Sequence, residues 1–238
     1  GVPSTGTPFF VAYPGIIITL LYIKTATGGQ DIHKSAIFGV HTRQQTKPTY
    51  MKVGLFIPCY INAVYPGVGR ASYELLGRLG CEVDYPLGQT CCGQPMANAG
   101  FEKDARALAE HMDALFAQYD YVVGPSASCV VFVREGYPRL LDNYREHACV
   151  DSRIWEICEF IHDVVRPAKL DARFPHRVSV HNSCHGVRKM GLSSPSELNV
   201  PYMSKLRDLL SLVGDIDIAE PSRRDECCGF GGMFSVEE

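Results

Sequence analysis

The chain is expected to fold as an α/β protein of two pseudo-repeated, Rossmann-like halves with parallel sheets, and three observations predict it. Short apolar runs stopped by proline or glycine alternate with stretches of helical period. The same order of elements occurs twice. Cysteine recurs where the strands should end, and in open α/β sheets the loops beyond the carboxyl ends of strands are where ligands bind.

In order, residues 52–58 read as a buried parallel strand that proline stops and that ends at Cys59. A helix is expected over residues 67–79, with Val68, Ser72, Leu75, Leu76 and Leu79 on one face and Gly80 at its C-terminal cap. Residues 82–86 form the second strand and deliver the chain to Cys91-Cys92. Phe101, Ala105, Leu108, Ala109, Met112, Leu115, Phe116 and Tyr119 repeat at three and four residues, the clearest amphipathic helix in the sequence. Residues 121–125 are the third strand, leading into Ser126-Ala127-Ser128-Cys129. A further helix is expected over 154–165, with Ile154, Ile157, Cys158, Ile161 and Val165 inward and Pro167 beyond its end.

The pattern then returns. Residues 177–181 are a strand running to Cys184, Met203, Leu206, Leu209, Leu210 and Val213 mark a helix, and 215–219 is a strand before Cys227-Cys228-Gly229. Gly80-Cys81-Glu82-Val83-Asp84 is matched by Gly214-Asp215-Ile216-Asp217-Ile218. The spacing from first cysteine to vicinal pair is longer in the second half, the excess falling in the Ser/Pro-rich loop 191–201. A second-half counterpart of Cys129 would fall beyond Glu238, so that half is expected to be C-terminally truncated. The expected division is a leader or extension at 1–50 outside the core, a first cysteine-rich domain at 51–170 and a second at 171–238; residues 1–50 read either as an extension upstream of a biological start at Met51 or as an ordered N-terminal arm.

Composition bounds the function. A chain of 238 residues, 46% hydrophobic, is long enough for such cores, and a net charge of −3 without a basic run gives no field for nucleic acid. The longest apolar run, 9–23, contains Pro14 and Gly15 and is shorter than the roughly 20 residues of a spanning helix, so no membrane span is expected. Ten cysteines are many for an ordinary domain and few for a disulfide scaffold of this length. Metal ligation in a reducing, cytoplasmic setting fits better.

Neighbouring residues on a strand or helix point in different directions, so a vicinal cysteine pair converges on one object only from an irregular turn, which the following glycine supplies. Cys59, Cys91, Cys92 and Cys129 supply four thiolates, the number an iron–sulfur cluster or a structural zinc needs. The spacing is unlike a zinc ribbon, and adjacent cysteines make a strained disulfide. Gly88, Gly93 and Gly100 flank the first pair, and Gly229, Gly231 and Gly232 follow the second; they let backbone N–H groups approach an inorganic core, or serve simply as turns.

Both Cys-Cys-Gly loops, the leading Ile57-Pro58-Cys59-Tyr60-Ile61-Asn62, the segment Thr90-Cys91-Cys92-Gly93-Gln94-Pro95 and Ile154-Trp155-Glu156-Ile157-Cys158-Glu159-Phe160 resemble the cysteine-rich domain family. That family includes the lactate-utilisation protein A group, the iron–sulfur subunit of glycolate oxidase and the cysteine-rich subunit of heterodisulfide reductase; the likeness, over 51–238, is strongest to the first group. The resemblance implies an electron-transfer subunit with iron–sulfur clusters, of 4Fe–4S type, working with other subunits of a complex that oxidises L-lactate or glycolate to the 2-oxo acid. It implies Cys59, Cys91, Cys92 and Cys129 as ligands of one site, and Cys184, Cys227 and Cys228 of the other. The family's last element is Cys-x-x-Cys, so serine at Ser126 replaces one thiolate here.

Cys81 and Cys158 read as core residues, Cys149 as a loop residue, and His185 as a cap or a cluster neighbour, with less weight on His181. Gly67-Val68-Gly69 is a poor dinucleotide fingerprint, its third glycine displaced to Gly77. No catalytic constellation is specified, so hydride chemistry would belong to a partner. The competing functions are a zinc-stabilised scaffold subunit and a thiol–disulfide reductase acting through a vicinal pair.

Overall fold

The computed structural model describes residues 10–12, 51–143, 146–227 and 229. Its strands are β1 (Phe10–Ala12), β2 (Lys52–Leu55), β3 (Glu82–Asp84), β4 (Tyr121–Gly124), β5 (Ile154–Glu156), β6 (Arg177–Val180) and β7 (Asp217–Ala219). The helices are α1 (Cys59–Val64), α2 (Pro66–Arg78), α3 (Gln94–Asn98), α4 (Glu102–Leu115), α5 (Ala127–Leu140), α6 (Ile157–Phe160), α7 (Cys184–Arg188) and α8 (Lys205–Ser211).

The first sheet is entirely parallel, in the order β3-β2-β4-β5. The chain leaves β2 toward one edge to form β3 and then crosses to its other side for β4, so the topological switch point lies between β2 and β4. Period-two alternation decides the layers. Val53, Leu55 and Val123 face a core with Val68, Ala71 and Leu76 of α2, whereas Phe56 and Val122 face a core with Ala109 and Met112 of α4 and Val130 and Val133 of α5. At Gly54 an added Cβ would fall 2.6 Å from the Tyr119 ring and 2.8 Å from Phe116, so only glycine lets that aromatic pair lie on the strand.

The second sheet, β1-β6-β7, is also parallel. Phe10–Ala12 thus pairs with β6, in the register Phe10 with Val178, while the rest of residues 1–50 lies outside the described residues. The halves are not independent: Val178, Val180, Leu206, Leu209, Leu210 and Val213 join the core formed by β2 and α2. Met190 and Leu192 join the opposite one, with Cys92 and Cys129. Among the described residues no helix is long and apolar enough to cross a membrane.

Several element ends shift from expectation for physical reasons. Residues 154–156 are the fourth strand rather than the first turn of a helix, because Ile154, Trp155 and Glu156 pair with Val122, Val123 and Gly124. Helix begins only at Ile157, where the Glu156 carboxylate accepts the N–H groups of Cys158 (2.7 Å) and Glu159 (3.2 Å), and it widens to a π-turn over Ile161–Val165. Phe101 and Met203 lie one and two residues before the helices that their periodicity suggested they would join, and stay 58% and 43% exposed. The end of α2 is as expected: Gly80 has φ +88°, its N–H meets Gly77 O, and the Cys81 N–H meets Leu76 O, a Schellman closure.

Candidate metal centre

Each candidate ligand of the first half follows the C-terminal edge of a strand. Cys59 opens α1 after β2, Cys91 and Cys92 follow β3, and Cys129 lies in the first turn of α5 after β4. The switch point brings the ends of β2 and β4 side by side, and what remains is to draw in the loop from β3. Gln89 does this: its Oε1 accepts the Ile57 N–H (2.7 Å), and its amide donates to Leu55 O (3.1 Å) and Pro86 O (3.0 Å). The side chain acts as one more rung beside β2 beyond the end of β3. His111 adds a bond to Gly88 O at 2.7 Å, and the buried Tyr137 hydroxyl donates to Cys92 O at 3.0 Å.

At Gly93 the backbone turns left-handed, φ +90°, and an added Cβ would stand 3.2 Å from Ala105 O. That turn aims the Gly93 N–H at Cys91 Sγ, 3.5 Å away. In the second half Gly229, φ +76°, presents its N–H to Cys227 Sγ at 3.4 Å. The two Cys-Cys-Gly loops therefore share one local construction, a thiol held by the glycine two residues on.

The four first-half thiols influence one another in series: Cys59 with Cys91, Cys91 with Cys92, and Cys92 with Cys129. Hydrogen bonds from Cys92, the Gly93 N–H and Cys59 hold Cys91 down to about 5 against its burial. Cys59 belongs to an exposed residue, yet loss of hydration at its sulfur and the bond to Cys91 push it up to about 11. Cys92, donating to Cys129 and Cys91 in a buried position, is pushed up strongly, and Cys129 is lowered by Cys92 and by the hydroxyls of Ser126 and Ser128. Negative charge is thus favoured on Cys91 and Cys129, with protons on Cys59 and Cys92.

Among the described residues no three His, Cys, Asp or Glu side chains already surround a common point as a single ion's shell would. The donor set nonetheless fits a soft centre: four sulfurs at one strand-end crevice, two of them favouring thiolate, with a backbone N–H directed at one. None of the nine described cysteines forms a disulfide.

In the second half Cys184 opens α7 and, like Cys227, is exposed, while Cys228, Gly231 and Gly232 lie outside the described residues. The loops of Cys184 and Cys227 are tied together, since Asn182 donates to Arg224 O at 2.9 Å and Asp225 accepts the Ser196 N–H and hydroxyl at 2.8 and 2.6 Å. The two halves meet here too: Lys189, just past α7, pairs with Glu135 of α5 at 3.0 Å. His185 is lowered by burial, and His181 lines a small cavity with Cys158, Asn182 and Gly186. Cys81 and Cys158 are buried in the core, as expected. Gln89, Tyr137, Ser126 and Ser128 were not singled out for these contacts by the sequence. Proximity to the cysteines is the only sequence signal for Gln89 and the serines, and Tyr137 has none.

A model of the cysteine-rich domain family matches residues 53–134 and 178–238. Lactate utilization protein A of Halalkalibacterium halodurans is 40% identical over 191 residues, 79% of this chain and 74% of that protein. The proteins of the same name from Geobacillus thermodenitrificans and Bacillus velezensis are 41% and 37% identical, each over 79% of this chain and 75% and 76% of their own lengths. With a family model matching more than half of its residues and relatives of this identity and coverage, the chain belongs to the cysteine-rich domain family.

Proposed function

We propose that the protein is an iron–sulfur electron-transfer subunit serving lactate utilisation, acting with other components that oxidise L-lactate, or glycolate, to the 2-oxo acid. The observation that carries the reading is the meeting of Cys59, Cys91, Cys92 and Cys129 at the switch point of a parallel sheet. The names of the relatives support the metabolic role. A bound cluster would supply one-electron chemistry, here of 4Fe–4S type.

The chain's own residues hold and orient. Gln89 and Tyr137 fix the vicinal loop, Gly93 gives it the turn that directs an N–H at sulfur, and burial of Cys92 and Cys129 keeps water from two of the four ligands. Cys184, Cys227 and Cys228 form the second set, with two of their loops tied by Asn182. Anaerobic reconstitution tests the reading through iron and acid-labile sulfide assays and paramagnetic resonance after reduction. Stoichiometric iron and sulfide with a reducible signal are expected. A colourless protein holding zinc would contradict the cluster and favour a scaffold.

A further inference from the structure

The second sheet repeats the first in register. Val53 of β2 and Val178 of β6 each lie six residues before the cysteine that follows the strand, Cys59 and Cys184. Val53 pairs with Val83 of β3 on one side and Tyr121 of β4 on the other, and Val178 pairs with Ile218 of β7 and Phe10 of β1. All four pairings are parallel, so β7 holds the place of β3, and β1 the place of β4, although β1 lies upstream of both halves. The residues agree as well. Phe10-Val11-Ala12-Tyr13-Pro14 stands against Tyr121-Val122-Val123-Gly124-Pro125, in each an aromatic, a valine, an apolar residue and, two places on, a proline. No cysteine precedes Cys59, so β1, unlike β4, leads to no thiol.

We infer that Phe10–Ala12 is the wall strand of the second cysteine crevice, filling beside β6 the place that β4 fills beside β2, and that the loops of Cys184 and Cys227 depend on it. The role of those cysteines as ligands rests on the iron–sulfur reading above, whereas the strand pairing does not. The physical reason lies in the backbone of β6. The His176 carbonyl accepts the Asp217 N–H at 3.1 Å, so by alternation Val178 turns its N–H to β7 and Ser179 turns its N–H and carbonyl to β1. In the register of Val11 with Ser179, the Ser179 carbonyl takes the Ala12 N–H. Without β1 these groups lie on an open sheet edge. From β6 the chain runs directly into Asn182, whose side chain donates to Arg224 O at 2.9 Å and ties the Cys184 loop to the Cys227 loop. Fraying of β6 would release both loops.

Hydrogen exchange on the full chain and its Ala12→Pro, Val11→Pro and Ala12→Val variants tests the strand, and iron content after anaerobic reconstitution tests its service to the cysteines. Ala12→Pro removes the N–H given to Ser179, so the Ser179 amide should exchange about tenfold faster while the Val178 amide, bonded to β7, keeps its protection. Val11→Pro, at a position whose N–H faces away from β6, and Ala12→Val should stay near wild type. The iron content of Ala12→Pro should fall by as much as that of Cys184→Ala. Unchanged Ser179 exchange in Ala12→Pro, or iron content equal to wild type, would overturn the inference. Should Ala12→Pro fail to fold, the wild-type chain decides: a protected Ser179 amide sustains the wall strand, and one exchanging as fast as an unbonded amide overturns it. A wild-type chain that takes up no iron would sink the iron–sulfur reading and the arm's service to it, and Ser179 exchange separates that outcome from failure of the strand itself.

Discussion

At the scale of single residues, the most informative group outside the thiol set is Glu156, fully buried at the end of β5. Burial pushes its carboxyl up to about 7, against the two N–H bonds it accepts, and its Oε1 has no partner among the described residues. A carboxyl whose folded position lies above its unfolded one contributes stability that is fully present below about 4.5 and is lost as pH rises through about 7. Glu156→Gln keeps an acceptor for the helix cap and removes the charge. Chemical denaturation at pH 5 and pH 8 should show wild type losing on the order of 3 kcal/mol across that interval and the variant staying nearly flat. Equal slopes would mean that Glu156 is not the titrating group.

At the scale of elements, the site depends on a loop that carries no regular structure of its own. Gln89 substitutes for strand pairing there with three hydrogen bonds, so Gln89→Ala should cost about 1–3 kcal/mol and speed loss of bound iron to a chelator. Stability loss without faster iron loss would show that the loop is positioned by other contacts. How much of this was legible in the sequence follows from the physics of each element. The strands 52–55 and 121–124 were readable because strands buried on both faces need continuous apolar runs, and the edge strand 82–84 was readable from its place after the Gly80 cap. Helices α2 and α4 were readable because one face of each is buried. Residues 154–156 were not, since Ile154, Ile157, Cys158 and Ile161 fit a helical period equally well and only the vacant edge of β4 makes the first three residues a strand. Cysteine at each strand end pointed to the first-half site directly. Gln89 and Tyr137 were hidden because their roles are long-range hydrogen bonds without periodicity.

At the scale of the molecule, the duplicated halves share cores instead of standing apart. Leu206, Leu209 and Leu210 of α8 pack in one cluster with Val53, Leu55 and Leu76, so neither half keeps its apolar surface covered alone. Calorimetry should therefore give one cooperative transition. Leu210→Ala, at a position 2% exposed, should lower stability by about 2–5 kcal/mol without splitting it. Two resolved transitions would show that the halves are separate units.

The central claim is that sulfurs from three loops serve one inorganic centre, and iron content across single substitutions tests it most directly. After anaerobic reconstitution, Cys59→Ala, Cys91→Ala, Cys92→Ala and Cys129→Ala should each lose the iron of the first site, while Cys81→Ala and Cys158→Ala, whose thiols lie in the core, should retain it. Full iron in the four site variants, or equal loss in the two core variants, would contradict a shared centre at the end of the first sheet.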